Sequence, residues 1–218
     1  MKKVAVILSG CGVFDGAEIH ESVLTLLALE QHAIEYQCFA PNIEQLHVIN
    51  HLTGEVSAQE RRNVLVEAAR IARGNIADLA QARADDFDAA FLPGGFGAAK
   101  NLSNFAIKGA DCSVNSELKQ FLSAMAKAQK PVGFICIAPA IIPLIYGKGS
   151  IATIGNDADT ASAIQAMGAV HSNCPVDDIV IDSQNQVVST PAYMLAGNIS
   201  EAASGINKLV AQVISMIK

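Results

Sequence analysis

Short apolar runs alternate along this chain with segments whose apolar positions recur at helical spacing. The runs over 4–8, 34–39, 88–92 and 132–135 predict buried strands, and further strands fall at 151–154, 179–182 and 187–189. Helices are predicted over 17–32, 60–73, 116–127, 160–167 and 199–217. In the first, Val23, Leu24, Leu27 and Ala28 share a face; in the last, Ile199, Ala203, Ile206, Val210, Val213 and Ile217 form one stripe. The stretch 41–57 is irregular, and a short helix is predicted over 137–146. Pro139 is tolerable in its first turn, whereas Pro143 is expected to kink or end it. Strand and helix alternate without a repeat or linker. The expected architecture is therefore one α/β domain over 1–218, with a doubly wound, mostly parallel sheet.

Composition sharpens this picture. Hydrophobic residues make up 51% of the chain and charged residues 17%, as expected when strands are covered on both faces. The longest weakly polar run, 132–147, is too short to span a bilayer and contains Pro139 and Pro143. Lys2-Lys3 before an apolar run mimics a signal peptide, but the run breaks at Ser9-Gly10-Cys11-Gly12 and reads as a first strand. The net charge is −6 and no basic cluster is present, so neither a membrane nor a nucleic acid is an expected partner. Five scattered cysteines without a Cys-x-x-Cys pair indicate free thiols in a reducing compartment, taken as the cytoplasm.

The chemistry centres on Cys136. The strand 132–135 ends at this thiol, and a helix-capable segment follows it. A residue so placed lies at the carboxyl edge of the sheet, where α/β folds bind ligands. A helix amino terminus facing it favours thiolate, so a depressed pKa is expected. Another strand ends in Pro93-Gly94-Gly95, and the amides of Gly95 and Ile137 could form an oxyanion hole beside Cys136. Glu18 and Glu21, three apart at the start of the first helix, share a face; one can support the helix terminus and the other can share a proton with Cys136. Spacing does not choose between them. His20 points about 100° away from Glu21 around the helix.

Other motifs carry less. Cys11 also ends a strand and is the one rival thiol. His171, Cys174, Asp177 and Asp178 supply too few ligands at recognised spacing for a metal site. Gly10-Cys11-Gly12-Val13-Phe14-Asp15 places a carboxylate where a dinucleotide fingerprint needs its third glycine, so nicotinamide binding is rejected and no cofactor is expected.

Taken together, Ser9-Gly10-Cys11-Gly12, Asn50-His51-Leu52-Thr53-Gly54-Glu55, Leu92-Pro93-Gly94-Gly95-Phe96-Gly97, Cys136-Ile137-Ala138-Pro139-Ala140, Cys174-Pro175-Val176-Asp177-Asp178 and Thr190-Pro191-Ala192-Tyr193 resemble the PfpI-like branch of the class I glutamine amidotransferase-like superfamily. Within it the chain is most similar to the ElbB-type proteins, named for enhanced lycopene or isoprenoid biosynthesis. The resemblance implies a flavodoxin-like sandwich, usually a homodimer, with Cys136 as nucleophile and Glu21 as its acidic partner. It also implies a weak glutathione-independent glyoxalase activity that turns glyoxal, a small dicarbonyl, into glycolate. The alternative is a redox-responsive or regulatory binding protein with an oxidisable cysteine. One departure stands out: the only histidine after Cys136 is His171, with Asn173 rather than glutamate two places on, so the Cys-His-Glu set of true amidotransferases is missing.

Overall fold

The computed structural model describes residues 2–218. Its strands are β1 (Lys3–Ile7), β2 (Glu35–Ala40), β3 (Ile49–Asn50), β4 (Glu55–Val56), β5 (Ile76–Asp78), β6 (Ala89–Leu92), β7 (Val132–Ile135), β8 (Ile151–Ala152), β9 (Val170–His171), β10 (Val180–Asp182) and β11 (Val187–Thr190). The helices are α1 (Ile19–Gln31), α2 (Val64–Ile71), α3 (Phe96–Lys100), α4 (Phe105–Lys108), α5 (Ser116–Lys127), α6 (Ile142–Tyr146), α7 (Ala158–Ala166) and α8 (Ile199–Met216).

Seven strands form the central sheet in the order β10-β11-β7-β6-β1-β2-β5. Every pairing within it is parallel except β10 with β11. The alternation of side chains along β1 divides the core into two layers. Val4, Val6 and Leu8 pack with Ala28 and Leu29 of α1 and with Ile206, Leu209 and Val213 of α8. Ala5 and Ile7 join Leu118, Phe121 and Leu122 of α5 on the other face. This is the expected single-domain, flavodoxin-like sandwich. Among the described residues no helix is long and apolar enough to cross a membrane.

The departures from expectation are local. Pro143 starts a helix rather than ending one: a 3-10 turn over Ala138–Ile141 hands over to α6, and the proline occupies the first turn of α6, where its missing N–H costs nothing. The edge strand β5, the β3–β4 hairpin and the short α3 were not anticipated. Each has only two to five residues, too few to display a period.

Candidate active site

The carboxyl ends of β6 and β7 lie side by side, with Leu92 paired to Phe134. The chain turns sharply after β7. Cys136 holds φ at +63°, a conformation that L-residues seldom adopt outside constrained turns. Its own amide donates to the carbonyl of Thr190 at 3.0 Å, which fixes the turn against β11. The side chain is thereby lifted off the sheet edge, as in a nucleophile elbow.

After β6 the chain runs through Gly94 and Gly95. A Cβ on Gly94 would collide with the Cys136 side chain and would stand 2.7 Å from Glu21 Oε2, so only glycine leaves room for the two functional groups. Gly95 has φ +89°, readily adopted only by glycine. That conformation turns the Gly95 amide toward the Cys136 sulfur, and the Gly95 and Ile137 amides both favour its ionised form.

The structure separates the two glutamates that spacing left equivalent. Glu18 is the N-cap of α1: its carboxylate accepts the Glu21 amide at 2.6 Å. Glu21 lies one turn in and is fully buried. Its Oε2 accepts the Gly94 amide at 2.9 Å and its Oε1 accepts the Tyr193 amide at 3.1 Å. The Cys136 thiol and the same carboxyl group lie against each other and each shifts the other's titration. Cys136 and Ile137 of the turn after β7, Gly95 after β6 and Glu21 of α1 are thus brought together from three separate segments.

Electrostatics corrects one expectation. Burial raises the Glu21 carboxyl to about 8, with the nearby Glu18 charge adding to the effect and three hydrogen bonds opposing it. Glu21 therefore holds its proton through most of the neutral range. Cys136 is raised as well, by burial first and by the Glu21 charge second, against the pull of the Gly95 and Ile137 amides. The thiol is not ionised in advance. The segment that faces it is a 3-10 turn of four residues, too short to supply the dipole of a full helix, so desolvation dominates.

A cavity of about 250 Å³ opens over Cys136, between α3, α4 and the Tyr193-Met194 turn. Tyr193 brings in a residue that sequence reasoning missed. Its amide holds Glu21, its side chain lines the cavity, and its hydroxyl shares a 2.9 Å hydrogen bond with His20 Nδ1. His20 thus faces Tyr193, not Glu21. No signal in the sequence links two residues 173 positions apart. No imidazole contacts either Cys136 or Glu21 among the hydrogen bonds of the described residues.

The remaining candidates lie elsewhere. Cys11 is half-buried among Asp15, Glu67 and Arg70, outside the cavity, and burial raises its pKa. Asp15 accepts the Ile49 amide at 2.7 Å and serves as a loop anchor. His171 accepts the Ile154 amide at 3.2 Å, Asp178 pairs with Lys208 at 2.9 Å, and no cluster fit for a metal ion occurs among the described residues. A more open cleft of about 320 Å³ between α1 and α2 contains no cysteine, serine or histidine.

No family model matches this chain. It is 45% identical to the mitochondrial ES1 protein homolog of Rattus norvegicus over 98% of its own length and 84% of the relative's. It is equally similar, at 45%, to the human mitochondrial glutamine amidotransferase-like class 1 domain-containing protein 3, over 98% of this chain and 83% of that protein. Among solved structures, an isoprenoid biosynthesis protein with amidotransferase-like domain from Ehrlichia chaffeensis superposes with a TM-score of 0.93 at 38% identity, covering 100% of both chains. The mitochondrial relatives overturn the cytoplasmic expectation. Free thiols mark a reducing compartment, and the mitochondrial matrix satisfies that criterion as well as the cytosol does.

Proposed function

This chain belongs to the ES1 family of glutamine amidotransferase-like class 1 proteins, and we propose that it is a cofactor-independent enzyme acting on α-oxoaldehydes, with glyoxal as the simplest case. The observation that carries this reading is the buried Cys136–Glu21 pair beneath the Gly95 and Ile137 amides.

A thiol that adds to an aldehyde must lose its proton as the S–C bond forms. Glu21, at about 8, is ionised in roughly one molecule in ten at pH 7, and that fraction takes the Cys136 proton. The carbonyl electron pair moves onto oxygen, where the Gly95 and Ile137 amides receive the developing charge. Glu21 returns the proton to that oxygen and completes a hemithioacetal.

Glu21 next removes the hydrogen from the sulfur-bearing carbon. The electron pair forms a carbon–carbon double bond, and the second carbonyl oxygen becomes an enediolate. Glu21 returns that proton to the second carbon, the proton of the first oxygen passes to the second oxygen, and the C=O of the thioester forms, giving a 2-hydroxyacyl thioester; for glyoxal this is the glycolyl thioester. Water cleaves it, releasing glycolate and restoring the thiol. The Tyr193 hydroxyl is the donor for the second carbonyl oxygen, and His20 is its positioning residue. Burial, Glu18 and Glu21 all raise the Tyr193 pKa, so it keeps the proton this role needs.

Glutamine hydrolysis is a poorer fit, because no imidazole is available to activate the thiol or protonate a leaving amine. A redox-sensor role is also less favoured: sulfenic and sulfinic acids form from thiolates, and this thiol is buried and protonated. The test is conversion of glyoxal to glycolate, followed by proton NMR, in wild type, Cys136→Ser and Glu21→Gln. Loss of more than about a hundredfold in both variants is expected. Undiminished rates in both would remove the mechanism.

A further inference from the structure

Glyoxal has four heavy atoms and fills only about a quarter of a cavity this large. The rest of the space above Cys136 is walled by Val13, Phe96, Ala99, Phe105, Ile137 and Met194. Apart from the reacting thiol, its polar side chains are Tyr193 and Thr160. Among the described residues no charged side chain lines its wall, Glu21 lying beneath Cys136. Lys100, next in the chain to the lining residue Ala99, is occupied: its ammonium donates to the Phe14 carbonyl at 2.8 Å and lies 5.3 Å from the centre of the Phe96 ring. Desolvation also lowers its pKa, partly offset by the Asp15 charge.

A site that recognised a carboxylate or phosphate on its substrate would present a guanidinium, an ammonium or a cluster of free amides to it. Here the two amides are committed to the reacting centre, and the wall beyond them is hydrocarbon, aromatic ring and thioether. From this arrangement we infer that the substrate is an uncharged aldehyde carrying a compact hydrocarbon or aryl group, and that anionic oxoacids are excluded. The inference rests on the aldehyde reading of the same site and adds the class of substituent. Its physical basis is differential burial: an aryl group seated against Phe96, Phe105 and Met194 leaves water at little cost, whereas a carboxylate there would be stripped of solvent with no counter-charge.

Two measurements separate this inference from the reading beneath it. The first compares kcat/KM for phenylglyoxal and glyoxal, with Cys136→Ser as the control for reaction at arginines. The ratio is expected to favour phenylglyoxal by about tenfold or more, and Phe105→Ala is expected to reduce it several-fold. The second measures protection of Cys136 from iodoacetamide by benzaldehyde and by glyoxylate, neither of which can complete the rearrangement. Benzaldehyde is expected to protect at concentrations at least tenfold below glyoxylate. Glyoxal turnover with a ratio at or below unity, or equal protection by the two aldehydes, overturns the inference while leaving the mechanism in place. Selective protection by benzaldehyde without Cys136-dependent turnover of either dicarbonyl removes the enzymatic reading and supports the ligand class.

Discussion

The amide of Gly94 donates to the carboxyl of Glu21 at 2.9 Å, joining the end of β6 to the first turn of α1 directly beneath Cys136. The contact requires the absence of a side chain at Gly94, since a Cβ there would stand 2.7 Å from Glu21 Oε2 and 2.8 Å from the Ile135 carbonyl. Gly94→Ala is expected to cost about 1–3 kcal/mol through overpacking. It should also displace Glu21 and abolish glyoxal turnover. Urea denaturation and the NMR assay check the two effects separately.

The buried carboxyl of Glu21 gives stability a definite pH dependence. Its pKa is about 8 in the folded chain, well above the usual carboxylate value that it regains on unfolding. Between roughly pH 4 and pH 8 the folded state holds a proton that the unfolded state releases, so this group makes stability fall as pH rises, levelling off above 8. At about 1.4 kcal/mol per pH unit the decline reaches up to ~5 kcal/mol. Glu21→Gln should remove this slope. It should also lower stability by ~1–3 kcal/mol at acidic pH, because an amide can accept from only one of the two backbone N–H groups that Glu21 now satisfies. Denaturation midpoints measured across this range test the sign.

Cys136 should react slowly with iodoacetamide at neutral pH, with a midpoint above the free-thiol value of about 8.5. The turnover profile is predicted to rise about tenfold per pH unit below a midpoint near 8, since the proposed mechanism uses ionised Glu21 as the base that takes the thiol proton. An alkylation midpoint well below 8.5 would mean that the resting site contains thiolate, and the rising limb would then need another origin.

Tyr193→Phe retains the ring and the backbone amide that holds Glu21, and removes only the hydroxyl. A roughly tenfold fall in kcat with little change in KM is expected, since the lost hydrogen bond strengthens as charge develops. His20→Ala should have a smaller effect in the same direction. Combined in a double mutant, the two changes should be less than additive, because they break one hydrogen bond.

Asn101 holds the rim of the cavity at a distance. Its side-chain amide donates to the carbonyls of Ser9 and Asp15, both at 2.9 Å, and its oxygen accepts the Leu46 amide at 3.1 Å. Asn101→Ala should cost about 2–3 kcal/mol, since buried backbone groups lose their partners. It should also raise KM more than it lowers kcat, because the loosened 9–15 loop carries Val13 of the cavity wall. Thermal denaturation and steady-state kinetics measure these outcomes.

The architecture was legible because its causes are local. Period-two and continuous apolar runs marked β1, β2, β6, β7 and β11, and helical spacing marked α1, α5 and α8; these patterns exist in the chain before it folds. The break between the 132–135 run and Pro139 likewise placed Cys136 at a strand end, and the Gly94-Gly95 pair announced a sharp turn. The edge strand β5 escaped because three residues paired on one side carry no periodic signature.

What the chain alone determined is the sandwich, the position of the thiol on its carboxyl edge and the small set of residues able to approach it. Spacing left Glu18 and Glu21 equivalent and only the family resemblance favoured Glu21; the physical difference between them came from tertiary structure, because residues three apart on one helix are equivalent until the end of β6 supplies an amide to one of them. So did the union of His20 with Tyr193, which meet only when α1 packs beside the segment after β11. The direction of the Cys136 shift has the same origin. A helix terminus can be read from sequence, but desolvation depends on every atom that excludes water from the sulfur, and those atoms come from segments scattered along the whole chain.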